Sequence, residues 1–246
     1  MLADIGITKH VGSLKVTEEM VGLCRIGEGS YVLDVGCGVG MTPCYLARQY
    51  GCRVMGVDIC PKMIERSREQ ARREQVEDQV AFRVADAQEL PFEANLFGAV
   101  ILESVNVFVP DKPRAFKEYV RVTKPGGYVG MNESTWLKPP PQDAVDFMAR
   151  VGARLLTAEE WEALLVGAGL QDIVACAYHI DVHEEAKGRL KRFGLGGILR
   201  GALNIVPVFL RNPSARTILK QSLSSVPKIT FETMGYGVYV GRKASG

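Results

Sequence analysis

VLDVGCGVG, residues 32–40, sets a short apolar run and an aspartate directly ahead of glycines at 36, 38 and 40. A run this short, closed by glycines, reads as a buried strand turning into a helix. Glycine in such a turn permits positive φ and lets a ligand approach the main chain, while the helix start that follows offers unpaired N–H groups and partial positive charge. A dinucleotide fingerprint needs its third glycine at position 41, where this chain has Met41. The spacing therefore argues against NAD.

On both sides of this turn, β-branched runs alternate with helix-length amphipathic stretches. The strand candidates are 31–35, 53–57, 80–84, 97–102, 128–132, 173–178 and 236–240. Alternation of this kind predicts one domain with a parallel sheet covered on both faces. Pro61 opens PKMIERSREQARREQ where a helix tolerates proline best. DKPRAFKEYVRVTKPGG places Phe116, Tyr119 and Val120 on one face and ends in a Pro-Gly-Gly stop. TAEEWEALLVGAGL starts with a capping box, Thr157 with Glu160, and sets Trp161, Leu164, Leu165 and Ala168 on one stripe. STWLKPPPQD (134–143) and the stretch 179–235 interrupt the rhythm, and long insertions in a compact domain are often lids or binding elements.

Three acids stand at the C-terminal ends of successive strand candidates. Asp34 precedes the glycines, where a carboxylate favours a cation such as an amino-acid ammonium over a pyrophosphate. Asp58 follows Gly36 at the distance where an acid accepts hydrogen bonds from ribose hydroxyls. Asp86 closes the third strand, placed to accept from an adenine amino group while the Ala87 amide donates to the ring. Each acid alone reads as a loop cap or a solvated charge. Together, beside a glycine turn, they read as a ligand site.

With these residues in place, the chain resembles the class I S-adenosylmethionine-dependent methyltransferases, in the broad group that includes ubiquinone, menaquinone and many small-molecule methyltransferases. VLDVGCGVG, VMGVDIC, RVADAQELPF and VTKPGGYVGMNES carry the likeness, in the family's order, over roughly residues 11–178. The resemblance implies an α/β fold: a Rossmann-like doubly wound seven-stranded sheet, mostly parallel with the last strand antiparallel. The expectation is a single domain over 1–246, to which the chain's own pattern adds a helical insertion before the last strand, with 179–235 as an inserted basic and apolar lid or interface. S-adenosylmethionine would be the cofactor and S-adenosylhomocysteine the product. Gly36, Gly38 and Gly40 would line its methionine and ribose part, Asp34 would face its ammonium and Asp58 its ribose. Ile59 and Met63 would pack near the adenine, and Asp86 and Ala87 would read its edge. Leu102, Glu103 and Ser104 would sit between cofactor and acceptor, and His10, Gly12 and Ser13, in the entry helix, would cover the cofactor. Gly98 departs from the family, which often carries an acid there, and the long insertion departs as well.

Methyl transfer asks the protein mainly to align a nucleophile, with a base only where that nucleophile starts protonated. Glu103 is the first candidate for acceptor contact or base, with a loop-capping carboxylate as the equal alternative; His10 is the second. His179, Asp181 and His183 alternate along an extended stretch, but without a partner motif they read as a polar edge of the sheet or a contribution to the acceptor pocket rather than a metal site. Six cysteines without a CxxC pair read as reduced structural thiols.

The net charge of +2 conceals an asymmetry. Residues 186–228 hold nine Lys or Arg and no acid, leaving the rest of the chain at −7. A basic apolar stretch is open to a lid or homodimer contact, to a membrane surface or hydrophobic substrate, and, with less support, to RNA phosphates. No apolar run spans a bilayer and the first residues lack a secretion-signal pattern, so the expectation is a cytoplasmic protein, with membrane association as an option. The expected function is methyl transfer to a small, hydrophobic or aromatic acceptor. An RNA methyltransferase and a non-catalytic cofactor-binding module are the alternatives, and no Asn-Pro-Pro-Tyr type element follows the fourth strand to support base or glutamine methylation.

Overall fold

The computed structural model describes residues 14–180 and 233–245. Its chain order is α1 (Leu14–Leu23), β1 (Tyr31–Val35), α2 (Met41–Tyr50), β2 (Arg53–Asp58), α3 (Pro61–Glu74), β3 (Val80–Val84) and β4 (Phe97–Glu103). A 3₁₀ turn (Asn106–Phe108) leads to α4 (Lys112–Val122), β5 (Thr123–Trp136), α5 (Gln142–Arg150), β6 (Leu156–Thr157), α6 (Ala158–Gly167), β7 (Leu170–His179) and β8 (Met234–Lys243). The strands lie in the order β3-β2-β1-β4-β5-β8-β7, with the short β6 paired to the end of β5. β8 runs antiparallel to both neighbours, and the pairings among β1 to β5 are parallel. The doubly wound sheet expected from the sequence is therefore present.

Period-two alternation distributes the strands between two cores. Val32, Val54, Ala99 and Ile101 pack with Met20, Leu46 and Ile64 beneath α1, α2 and α3. Leu33, Val35, Val100 and Leu102 pack on the other face with Phe116, Tyr119, Trp161 and Leu165 of α4 and α6. Local chemistry sets the helix ends. Gly40 caps α2 at φ +81, Pro61 opens α3, the Asp111 carboxylate accepts the Arg114 amide, and Thr157 and Glu160 close a reciprocal capping box.

Two boundaries differ from the sequence reading. The Pro-Gly-Gly of 125–127 does not stop a helix: α4 has ended at Val122, and Thr123 already pairs with Phe97. The glycines instead allow close strand approach, since a Cβ on Gly127 would stand 2.5 Å from the Gly98 carbonyl oxygen and 2.9 Å from Thr123 Cγ2. β5 also runs beyond Asn132 to Trp136, because β8 pairs with it along that whole length. The proline-rich connection then leads into α5, a helix the sequence reading left out.

Candidate functional site

β1 continues to β2 and β3 on one side, whereas β4 continues to β5 on the other, so the sheet reverses direction of growth between β1 and β4. In open α/β sheets ligands bind at the strand C-termini beside such a point. A cavity of about 400 Å³ opens there. Asp34, Gly36, Gly38, Asp58, Ile59, Met63, Asp86, Ala87 and Glu103 all line it. With Ser104, which also lines it, ten expected residues from four separate stretches of chain thus meet at one place.

The turn after β1 is tied to the end of β2. The amides of Gly36 and Cys37 donate to the Val57 carbonyl at 2.7 and 2.9 Å. The Gly38 amide donates to Asp58 Oδ2 at 3.0 Å, and the Cys60 amide donates to Oδ1 at 2.8 Å. Asp58 therefore faces the cavity with both oxygens oriented by main chain. Gly36 adopts φ +74, and a Cβ there would meet Val105 Cγ2 at 2.3 Å. Asp86 Oδ1 accepts from the Gln88 amide at 2.8 Å, and Asp34 lies buried at the floor.

Glu103, at the end of β4, accepts the Thr17 hydroxyl of α1 at 2.6 Å and the Thr42 hydroxyl of α2 at 2.5 Å, one on each oxygen. It joins three elements while lining the cavity.

Two expected residues lie elsewhere. Leu102 is fully buried in the core on the α4 side and does not line the cavity. Gly40 also stands back from it: a Cβ there would lie 2.8 Å from Ser67 Cβ, so the bare backbone serves the packing of α3 against the turn. His10, Gly12, Ser13, Asp181, His183 and the stretch 186–228 lie outside the described residues. His179 is exposed at the end of β7, and no group of three or more metal-ligating side chains exists among the described residues.

Sequence reasoning missed the opposite wall. Val105, Phe108, Val109 and Pro110 line the cavity, from a turn that follows β4. The apolar VNVFVP after the fourth strand was the available signal. It also missed Glu133 of β5, buried behind that turn, whose Oε1 accepts the amides of Val105 at 2.9 Å and Asn106 at 2.6 Å. Burial pushes its carboxyl up to about 7, against the pull of those amides and of the Lys112 ammonium. Burial also keeps the thiols of Cys24, Cys44 and Cys52 protonated, pushing them to about 12, 12 and 11, which agrees with structural cysteines.

The family model for a methyltransferase domain matches residues 33–131, which run from within β1 to within β5. Methyltransferase GfsG of Streptomyces halstedii is 35% identical over 113 residues, covering 46% of this chain and 41% of that protein. Phosphoethanolamine N-methyltransferase of Triticum aestivum is 30% identical over 167 residues, covering 67% of this chain and 32% of the relative. The chain thus spans less than half the length of either curated relative. Among solved structures, the [4+2]-cyclase SpnF superposes with a TM-score of 0.72 at 21% identity, covering 98% of this chain and 90% of that one. Residues 33–131 are thus similar to a methyltransferase domain, and nearly the whole chain shares the fold of SpnF.

Proposed function

We propose that the protein transfers a methyl group from S-adenosylmethionine to a small acceptor with an apolar or aromatic body. The observation that carries this reading is the meeting of Asp34, Gly38, Asp58, Asp86 and Glu103 around one cavity at the sheet's switch point. The donor set suits the cofactor. A buried carboxylate at Asp34 matches an ammonium, Asp58 matches a pair of hydroxyls, and Asp86 with the Ala87 amide matches an adenine edge. Three carboxylates around one hollow repel a pyrophosphate, which disfavours a dinucleotide.

When bound, S-adenosylmethionine supplies a methyl group already made electrophilic by the sulfonium, so the protein's part is alignment and exclusion of water. Asp58 orients the ligand, its own carboxylate being fixed by the Gly38 and Cys60 amides. Glu103 presents a carboxylate to the cavity from between Thr17 and Thr42, as a contact for a positively charged or hydroxyl-bearing partner. Met41, Ile59, Val105 and Phe108 supply apolar walls. GfsG and phosphoethanolamine N-methyltransferase are both named for methyl transfer, which supports the reading. SpnF is titled a cyclase, so the fold alone does not carry it.

RNA remains the second reading, favoured by one observation: nine Lys or Arg without an acid between residues 186 and 228. The same composition serves an anionic membrane surface or a homodimer contact. Incubation with methyl-labelled S-adenosylmethionine and a cell extract, followed by partition of the label, separates these. Label in the solvent-extractable phase is the expected result. Label confined to RNase-sensitive material overturns the small-molecule acceptor. Tight S-adenosylhomocysteine binding without label in any fraction turns the protein into a binding module.

A further inference from the structure

Glu133 has no part in the roles assigned so far, yet the turn that forms the second cavity wall is fastened to it. Its Oε1 takes the amides of Val105 and Asn106, and its Oε2 has no hydrogen-bonding partner among the described residues. Other groups hold the same turn. The Tyr119 hydroxyl donates to Asn106 Oδ1 at 3.0 Å, the Lys112 ammonium donates to the Val109 carbonyl at 3.0 Å, and the Arg154 amide donates to the Val107 carbonyl at 2.7 Å. Ser104, which enters the turn, sits at φ +59 and donates its amide to the Asn132 carbonyl at 2.7 Å. A non-glycine residue in the left-handed region persists only where its surroundings over-determine it. Glu133 itself does not line the cavity.

A buried carboxylate is costly, and an apolar residue of like volume would pack there without that penalty. What an apolar residue lacks is an acceptor for two convergent amides. We propose that Glu133 is a positioning residue: it holds Val105 and Asn106 in the turn after β4 and so sets the cavity wall that faces the acceptor, without touching a ligand. The inference rests on the reading of this cavity as the cofactor and acceptor site.

A pH signature follows. Because burial pushes the Glu133 carboxyl up to about 7, its grip on the amides is strongest above neutrality and weakens as it gains a proton. The charged and titratable groups that act on it are Lys112 and Tyr119 of α4 and Tyr239 of β8; one step further out, Arg154 acts on Lys112 and Asp86 on Tyr119. Burial raises Tyr119 well above its usual range and Tyr239 to about 12, so both keep their protons near neutrality.

Amide shifts of Val105 and Asn106, followed by NMR on the ligand-free full chain from about pH 6 to about 8.5, test this. Wild type is expected to show a step at both amides with its midpoint within a unit of 7. Glu133→Gln, which keeps an acceptor oxygen but cannot titrate, should lose the step and leave other resonances in place. Glu133→Ala should exchange those two amides about tenfold faster, the worth of one lost hydrogen bond, with S-adenosylhomocysteine affinity within about threefold of wild type. No step in wild type, or the same step in Glu133→Gln, overturns the proposal. So does a Glu133→Ala loss of affinity as large as that of Asp58→Ala. A wild type that shows the step but binds no S-adenosylhomocysteine sinks the reading of the cavity and leaves the role of Glu133 in the turn standing.

Discussion

The two walls of the cavity are built on opposite plans. On the β1–β2–β3 side, acids at strand ends face the cavity directly, and their orientation comes from amides in the adjacent turns: Asp58 holds Gly38 and Cys60. On the β4–β5 side the lining is mostly apolar, and the polar groups that hold it lie behind the surface, on Glu133, Tyr119 and Lys112. Under the proposed reading the first wall would meet a ligand with its charges and the second, Glu103 apart, with its shape. A fixed cofactor and a variable acceptor call for that division, because a polar wall would commit the second subsite to one pattern of hydrogen bonds.

The strongest test of the first wall is Gly40→Ala. A methyl group there stands 2.8 Å from Ser67 Cβ and 3.0 Å from its Cα, on a backbone at φ +81 that L-residues resist. Strain and overpacking together should cost about 3 kcal/mol of stability, read by urea denaturation at neutral pH. A loss below about 1 kcal/mol would show the turn to be more pliable than the packing implies.

Glu133→Gln sharpens the contrast by removing a carboxylate hidden behind the second wall. The folded-state value of Glu133 lies above its ordinary 4.5, at about 7, so the folded protein binds this proton more tightly than the unfolded chain. Its contribution to stability is therefore fully present below about 4.5 and is lost as pH rises through about 7. Relative to wild type, Glu133→Gln should gain with pH across that window, reaching about 3 kcal/mol at most at pH 8. Parallel stability curves for the two proteins would mean that Glu133 does not titrate there.

The same contrast governs how much was legible beforehand. The first wall is written locally: Asp34, Asp58 and Asp86 each stand at the end of a short apolar run, and position along the strand suffices to bring them together. Gly40 was assigned to the ligand because glycine spacing carries no information about which neighbour needs the space; here it is Ser67 of α3. Leu102 stands apart from the cavity for a related reason. Alternation puts it on the α4 face, and the cavity begins only with Glu103. The second wall depends on Glu133 reaching back 27 residues to Asn106, a pairing created by the parallel register of β4 and β5. Nothing near either residue in the sequence announces it.

Asp58→Ala is the direct test of a charge in the first wall. It removes the acceptor of two amides and the group proposed to receive the ribose hydroxyls, so S-adenosylhomocysteine should bind about 30-fold more weakly, roughly 2 kcal/mol by calorimetry. Asp86→Ala should cost less, because its carboxylate is held by the amide and side chain of nearby Gln88 rather than by a group in another turn. Equal losses would show that the adenine edge contributes as much to recognition as the ribose.

Thr17→Val asks whether the walls communicate. Glu103 sits where they meet, and its two oxygens receive hydroxyls from α1 and α2. Valine preserves the shape of Thr17 and deletes only its hydroxyl. If Glu103 is held in its cavity-facing position by this pair, loss of one hydroxyl should lower stability by about 1 kcal/mol and weaken S-adenosylhomocysteine binding by about threefold. Thr17 is itself buried and does not line the cavity, so a direct ligand contact does not explain such a loss. A change in stability with unaltered affinity would confine Glu103 to anchoring α1. A change in affinity with unaltered stability would make α1 part of the recognition of the ligand, coupled to it through the Glu103 carboxylate.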